Sequence, residues 1–293
     1  MEIYTGAIRD DADARDFRYR DFIGGSAQFN WEKGYDVEEA IGMKIPVKNQ
    51  GESGSCGGQA MAYYGQVLEE VSSKTFEERS ARFIYAQCFV PPWGSNMRPL
   101  IKIATEQGWA RESLLTSYEN GQPPKEPFMQ RTDDITQEIR DDALNAQMLS
   151  YAIVQPNIDE VALAISNNYG CILGISGQNN GTWLSEFPQP PKTPDWGHWI
   201  YAGRAKMING KKYIGVLNSW GDTVGDKGWQ WLSEDYFTTK VFYPNQSATT
   251  AVWYGWTIMF NKESLNNGLR LTIIKAMTKV VELLTQLLKK KNG

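Results

Sequence analysis

The stretch Gln50-Gly51-Glu52-Ser53-Gly54-Ser55-Cys56-Gly57-Gly58-Gln59 leaves an extended segment, turns on glycines and delivers a cysteine to the start of a helix. After it, Ala60, Met61, Tyr64, Val67, Leu68 and Val71 recur at helical spacing, which predicts a helix over residues 57–73 with one face in a core. The thiol must then stand near a helix N-terminus. Unpaired backbone N–H groups and the positive end of the helix dipole favour a thiolate there, and thiolate is the nucleophilic form. Gly57 offers no side chain to cover the sulfur. Gln50, six residues upstream, carries an amide that can fold back and donate to an oxyanion formed beside it. A lone cysteine on a helix is more often a small buried hydrophobe, so this window needs support from the rest of the chain.

A thiol–imidazole mechanism needs a base, and the chain has one histidine, His198. Pro46-Val47-Lys48-Asn49-Gln50 followed by Cys56 resembles the papain family of cysteine peptidases, with the family's spacing from glutamine to nucleophile. Asp195-Trp196-Gly197-His198-Trp199-Ile200-Tyr201-Ala202-Gly203 resembles its histidine strand, and Leu217-Asn218-Ser219-Trp220-Gly221 reproduces its Asn-Ser-Trp-Gly. A single histidine is usually a core or surface residue and Asn-Ser-Trp-Gly alone could be a turn, but neither reading explains their joint order.

The resemblance implies five roles. Cys56 is the nucleophile, His198 the general base and Asn218 the group that orients the imidazole; Trp220 shields that hydrogen bond, and Gln50 with the Cys56 backbone N–H holds the oxyanion. It also implies a thiolate–imidazolium pair at rest. Three positions depart from the pattern. Ser53 replaces a disulfide cysteine, which leaves Cys88 as a free buried thiol and the chain without a disulfide. Gly57 replaces a tryptophan of the cleft wall, and Val224 replaces a tryptophan that commonly follows Asn-Ser-Trp-Gly, which should loosen the shielding of Asn218. Trp93-Gly94-Ser95-Asn96 matches the family's glycine-rich substrate strand poorly and assigns no specificity pocket.

The resemblance covers residues 29–260 and implies an α+β, papain-like two-lobed fold. The division expected is an N-terminal extension (1–28), a helical left lobe with the nucleophile (29–140), a β-barrel-like right lobe with the histidine and asparagine (141–261), and a C-terminal amphipathic helix (262–293). The extension is shorter than the family's inhibitory propeptide and is expected to strap across the fold. Helices are expected over residues 77–89, 100–107, 133–146 and 157–169, the last capped by Asn157 and stopped by Gly170. Asn209-Gly210 between two apolar runs is a hairpin signal that puts His198 and Asn218 on paired strands.

Composition narrows the function. A net charge of −4 with no base-reading motif argues against nucleic acid as partner. One histidine and three scattered cysteines, Cys56, Cys88 and Cys171, give no metal-ligand spacing, and no cofactor is expected. The reading is a peptidase cutting peptide or protein substrates through a cysteine thioester. Its alternatives are a peptidoglycan peptide hydrolase of the same chemistry and a non-catalytic binding homologue. Residues 1–29 hold no apolar core of signal-peptide length, and with no disulfide framework this suits a cytoplasmic or otherwise reducing compartment. In the tail, Leu269, Ile273, Met277, Val280, Leu284 and Leu287 form an apolar stripe; the segment carries +5 against −9 for the rest. It is too interrupted by charge to span a bilayer, and a partner helix or a membrane surface would bury that stripe.

Overall fold

The computed structural model describes residues 3–24, 27–148, 150–242 and 248–259, so the amphipathic segment at 262–293 lies outside the described residues. The chain starts with a strap that carries β1 (Ala7–Ile8) and one helical turn, α1 (Arg20–Ile23). β2 (Tyr35–Asp36) follows and runs into α2 (Val37–Ile41), whose N-terminus is capped by the Asp36 carboxylate accepting from the Glu38 N–H at 2.8 Å. The expected nucleophile helix is α3 (Cys56–Ser73). Its first thirteen residues are buried on all sides rather than on one face, because it runs between α4 (Ala81–Cys88) and α5 (Met97–Glu106) on one side and the central sheet on the other. Gly65 allows one of these close approaches, since a Cβ there would stand 2.9 Å from the Trp109 ring.

α4 is shorter than the 77–89 expected. Ser80 breaks the helix on its N-terminal side by capping it, its hydroxyl accepting from the Phe83 N–H at 3.1 Å while its own N–H donates to Ala110 O. α5 starts earlier than residue 100, since β3 (Ser95–Asn96) leads directly into it and Pro99 sits in the first turn, where its missing N–H costs nothing. Two short helices, α6 (Glu126–Met129) and α7 (Gln137–Ala143), complete this part.

The second part is one antiparallel sheet of seven strands in the order β4 (Tyr151–Val154), β11 (Val252–Ile258), β5 (Cys171–Gly177), β6 (Trp196–Ile208), β7 (Lys211–Leu217), β8 (Trp229–Ser233), with β2 pairing β6 beyond the end of β5. A small pair, β9 (Lys240–Val241) and β10 (Thr249–Thr250), lies before β11. Asn209 and Gly210 join β6 to β7 at φ 49° and 78°, the double positive φ of a tight hairpin turn. α8 (Ile158–Asn168) packs on the sheet, capped by Asn157 at one end and by left-handed Tyr169 at the other.

The sheet is open, not barrel-like: among the described residues β4 and β8 do not pair with each other. Each of these edges is covered instead, as an unpaired edge must be. The strap bonds to β4 through Tyr19 N–H to Ile153 O (2.9 Å) and Ile153 N–H to Phe17 O (2.8 Å), and the loop before β6 receives Trp231 N–H on Glu186 O (2.8 Å).

Candidate active site

The nucleophile loop is knitted by serines where a disulfide cysteine was expected to be missing. Ser53 Oγ donates to Gln50 O at 2.6 Å and lies 2.7 Å from Ser55 Oγ. The buried Glu126 carboxylate anchors the same turn, accepting from Gly54 N–H at 2.6 Å and from the Tyr85 hydroxyl at 2.8 Å. Cys56 thus begins α3, where the backbone amides of Trp199, Gly6 and Gly57 favour its anion. Gly57 does not leave an open wall: a Cβ there would sit 2.5 Å from Leu100 Cδ1 and 3.3 Å from Trp199 Cδ1, so neighbours fill the space.

Trp199 follows His198 on β6, so the strand that brings an amide to the sulfur also carries the imidazole. His198 Nε2 is 3.0 Å from Asn218 Oδ1, at the end of β7, and its Nδ1 has no hydrogen-bond partner among the described residues. Trp220 stacks over the imidazole, with ring centroids 4.7 Å apart. Backbone pairing ties Gln50 to this loop: Gln50 N–H donates to Ser219 O at 2.8 Å and Gly221 N–H to Lys48 O at 3.1 Å. Ser219 Oγ then donates to Gln50 Oε1 at 2.6 Å, which turns the Gln50 amide so that Nε2 is the donating end.

The structure therefore brings Gln50, Cys56, His198, Asn218 and Trp220 to one place, the junction of α3 with β6 and β7. All five side chains are buried, and the strap closes over two of them, Gln50 and Trp220. Tyr4 O accepts from Gln50 Nε2 at 3.2 Å and from Trp220 Nε1 at 2.9 Å; Thr5 O accepts from Trp93 Nε1; Gly6 O accepts from Ser95 N–H at 2.9 Å. β1 then pairs in parallel with β3, the segment where a substrate strand was sought in the sequence. A pocket of about 260 Å³ remains open beside Tyr4 and Trp220, lined also by Asn49, Gly51, Glu52, Pro123 and Lys125.

Burial decides the protonation states. It pushes the Cys56 thiol up to about 11 despite the amides that stabilise its anion, and it pulls the His198 imidazole down to about 4 against the opposing hydrogen bond to Asn218 Oδ1. His198 Nδ1 makes no hydrogen bond to the sulfur. Both shifts run against the thiolate–imidazolium pair expected at rest, because burial in the closed site disfavours either charge. Cys88 and Cys171 are likewise free, buried and pushed up by burial.

Three contributors were not singled out in the sequence. Ser219 orients Gln50. Trp183 packs edge-on against Trp196, Trp220 and Tyr236 at 5.2, 6.1 and 6.0 Å and so adds cover beside Trp220. Gln230 accepts from Asn218 Nδ2 at 2.7 Å. A glutamine between two tryptophans in an apolar strand was the available signal for the last, whereas Trp183 comes from a loop with no pattern to announce it. Among the described residues no group of acidic, histidine or cysteine side chains could hold a metal ion.

This is the fold of the papain-like cysteine proteases. Among solved structures, the chain resembles xylellain, a cysteine protease from Xylella fastidiosa, at 23% identity and a TM-score of 0.68, over 88% of this chain and 96% of that one. It resembles the digestive procathepsin L 3 of Tenebrio molitor larval midgut at 14% identity and TM-score 0.62, over 84% and 75% of the two chains. Bromelain from Ananas comosus, solved with the inhibitor E64, matches at 16% identity and TM-score 0.56, over 78% and 99%. No family model and no curated protein matches the sequence.

Proposed function

We propose that the chain is a cysteine peptidase that hydrolyses peptide bonds through a Cys56 thioester. The observation that supports this best is His198, held at Nε2 by Asn218 Oδ1 (3.0 Å) with Nδ1 unpartnered, beside Trp199, whose backbone N–H favours the Cys56 anion. In this mechanism Nδ1 takes the thiol proton as sulfur adds to the substrate carbonyl, and Gln50 Nε2 with the Cys56 N–H holds the oxyanion. The imidazolium then protonates the leaving amine, and His198 serves again as base when water cleaves the thioester.

Residues 4–8 act in this scheme as a cover over the cleft. Tyr4 O sits on the amide that the oxyanion needs, so substrate enters only after the strap leaves. Admitting water also removes the desolvation that keeps both groups neutral. The nucleophile must stay a thiol, which a reducing compartment would favour.

Digesting a peptide library and purified cell wall, with the protein and with Cys56→Ala under reducing conditions, tests the proposal. Library peptides should be cut by the protein and spared by Cys56→Ala. Cutting confined to cell wall would move the substrate class to peptidoglycan peptides. Cleavage of neither, even with the strap displaced, would contradict the proposal.

A further inference from the structure

Gln230 stands on β8 opposite Val216, fully buried between Trp229 and Trp231. Its Nε2 donates to two backbone carbonyls, Trp183 O and Ser185 O, each at 2.8 Å. Carbonyl oxygens only accept, so this end of the amide must be the NH₂ and Oε1 must face Asn218. Oε1 accepts from Asn218 Nδ2 at 2.7 Å, which turns Asn218 Oδ1 toward His198 Nε2; the Ser219 N–H, donating to that Oδ1 at 2.8 Å, agrees with the same orientation. An amide oxygen also only accepts, so Nε2 of the neutral imidazole must carry the hydrogen and Nδ1 must hold the lone pair.

We propose that Gln230 is a positioning residue that selects the Nε2–H tautomer of His198 by locking the Asn218 amide to the carbonyls of Trp183 and Ser185. The inference rests on the peptidase reading for its consequence, because only that tautomer leaves Nδ1 free to take a proton from Cys56. The turn that supplies both carbonyls also places Trp183 against Trp220, so one loop shields the site and fixes its tautomer. Without the glutamine, the Asn218 NH₂ would be buried with no acceptor, and the Ser219 N–H alone would oppose rotation of the amide to present Nδ2 to the ring. That rotation favours the Nδ1–H form, which cannot act as base.

The chain has a single histidine, so ¹⁵N NMR of histidine-labelled protein reads His198 alone. The protein should show a protonated Nε2 and a bare Nδ1 near neutral pH. Gln230→Met, nearly the same shape without the amide, should give a mixture of tautomers, and kcat should fall about 10-fold with KM little changed. Should Gln230→Met fail to fold, Gln230→Asn gives the same reading, since it keeps an amide one methylene too short to span from Asn218 to both carbonyls. A protonated Nδ1 in the unmodified protein would overturn the proposal, as would an unmixed Nε2–H signal in the folded variants. The tautomer is read without substrate, so an inactive protein whose tautomer still depends on Gln230 would sustain this inference and strike the peptidase reading instead.

Discussion

Gly6→Ala should raise activity. A Cβ at Gly6 would stand 2.0 Å from Gly54 O, and Gly54 cannot yield because Glu126 holds its N–H at 2.6 Å. The strap must move instead, and with it go the bonds that Tyr4 O receives from Gln50 and Trp220, the bond from Trp93 to Thr5 O and the bond from Ser95 to Gly6 O. Four bonds contribute about 1 kcal/mol each, while ordering the backbone of three residues costs roughly 1 kcal/mol apiece. The closed strap is therefore favoured by only about 1 kcal/mol, and its loss should raise kcat/KM about 5-fold. The assay is steady-state cleavage of a fluorogenic peptide by the protein and by Gly6→Ala, with circular dichroism to show that both are folded. A folded Gly6→Ala with unchanged or lower kcat/KM would refute the argument that residues 4–6 cover the cleft.

Gln50→Ala, measured in the Gly6→Ala background, should keep the fold and lower kcat by about 10²- to 10³-fold; unchanged turnover would remove Gln50 from the oxyanion site. His198 should make the protein acid-sensitive. Its ordinary value of 6.5 in the unfolded chain drops to about 4 in the fold, so between these pH values the unfolded state binds the extra proton. The associated stability is fully present above pH 6.5 and is lost as pH falls to about 4, by about 3 kcal/mol, and His198→Gln should remove that part of the slope in denaturant titrations. Trp183→Ala leaves a large void beside Trp220 and should destabilise the protein by about 3–5 kcal/mol, read as an earlier urea midpoint; a loss under 1 kcal/mol would show that Trp183 is not a packed shield.

The site was legible in the sequence where chemistry is written as motif. Gln50, Cys56, His198, Asn218 and Trp220 lie on a turn, a helix start and a hairpin, each with a local signal, and all five are buried in the structure. Their protonation was not legible, because it depends on what covers them. Tyr4 and Gly6 engage the site through backbone atoms, and a carbonyl or an amide leaves no mark in residue identity. Trp183 packs against Trp220 from a loop some forty residues upstream of Val224, a contact that local sequence does not announce. The open sheet has the same kind of origin: strand patterns predict pairing, whereas the strap and the loop at Glu186 that finish its edges are irregular segments.

The most direct measurement of the central claim is peptide mapping after treatment with an epoxide thiol inhibitor under native, reducing conditions. The account predicts a single adduct, on Cys56, formed faster in Gly6→Ala and nearly abolished in His198→Ala, while Cys88 and Cys171 stay unmodified. Equal labelling of the three cysteines, or a Cys56 rate indifferent to His198, would contradict it.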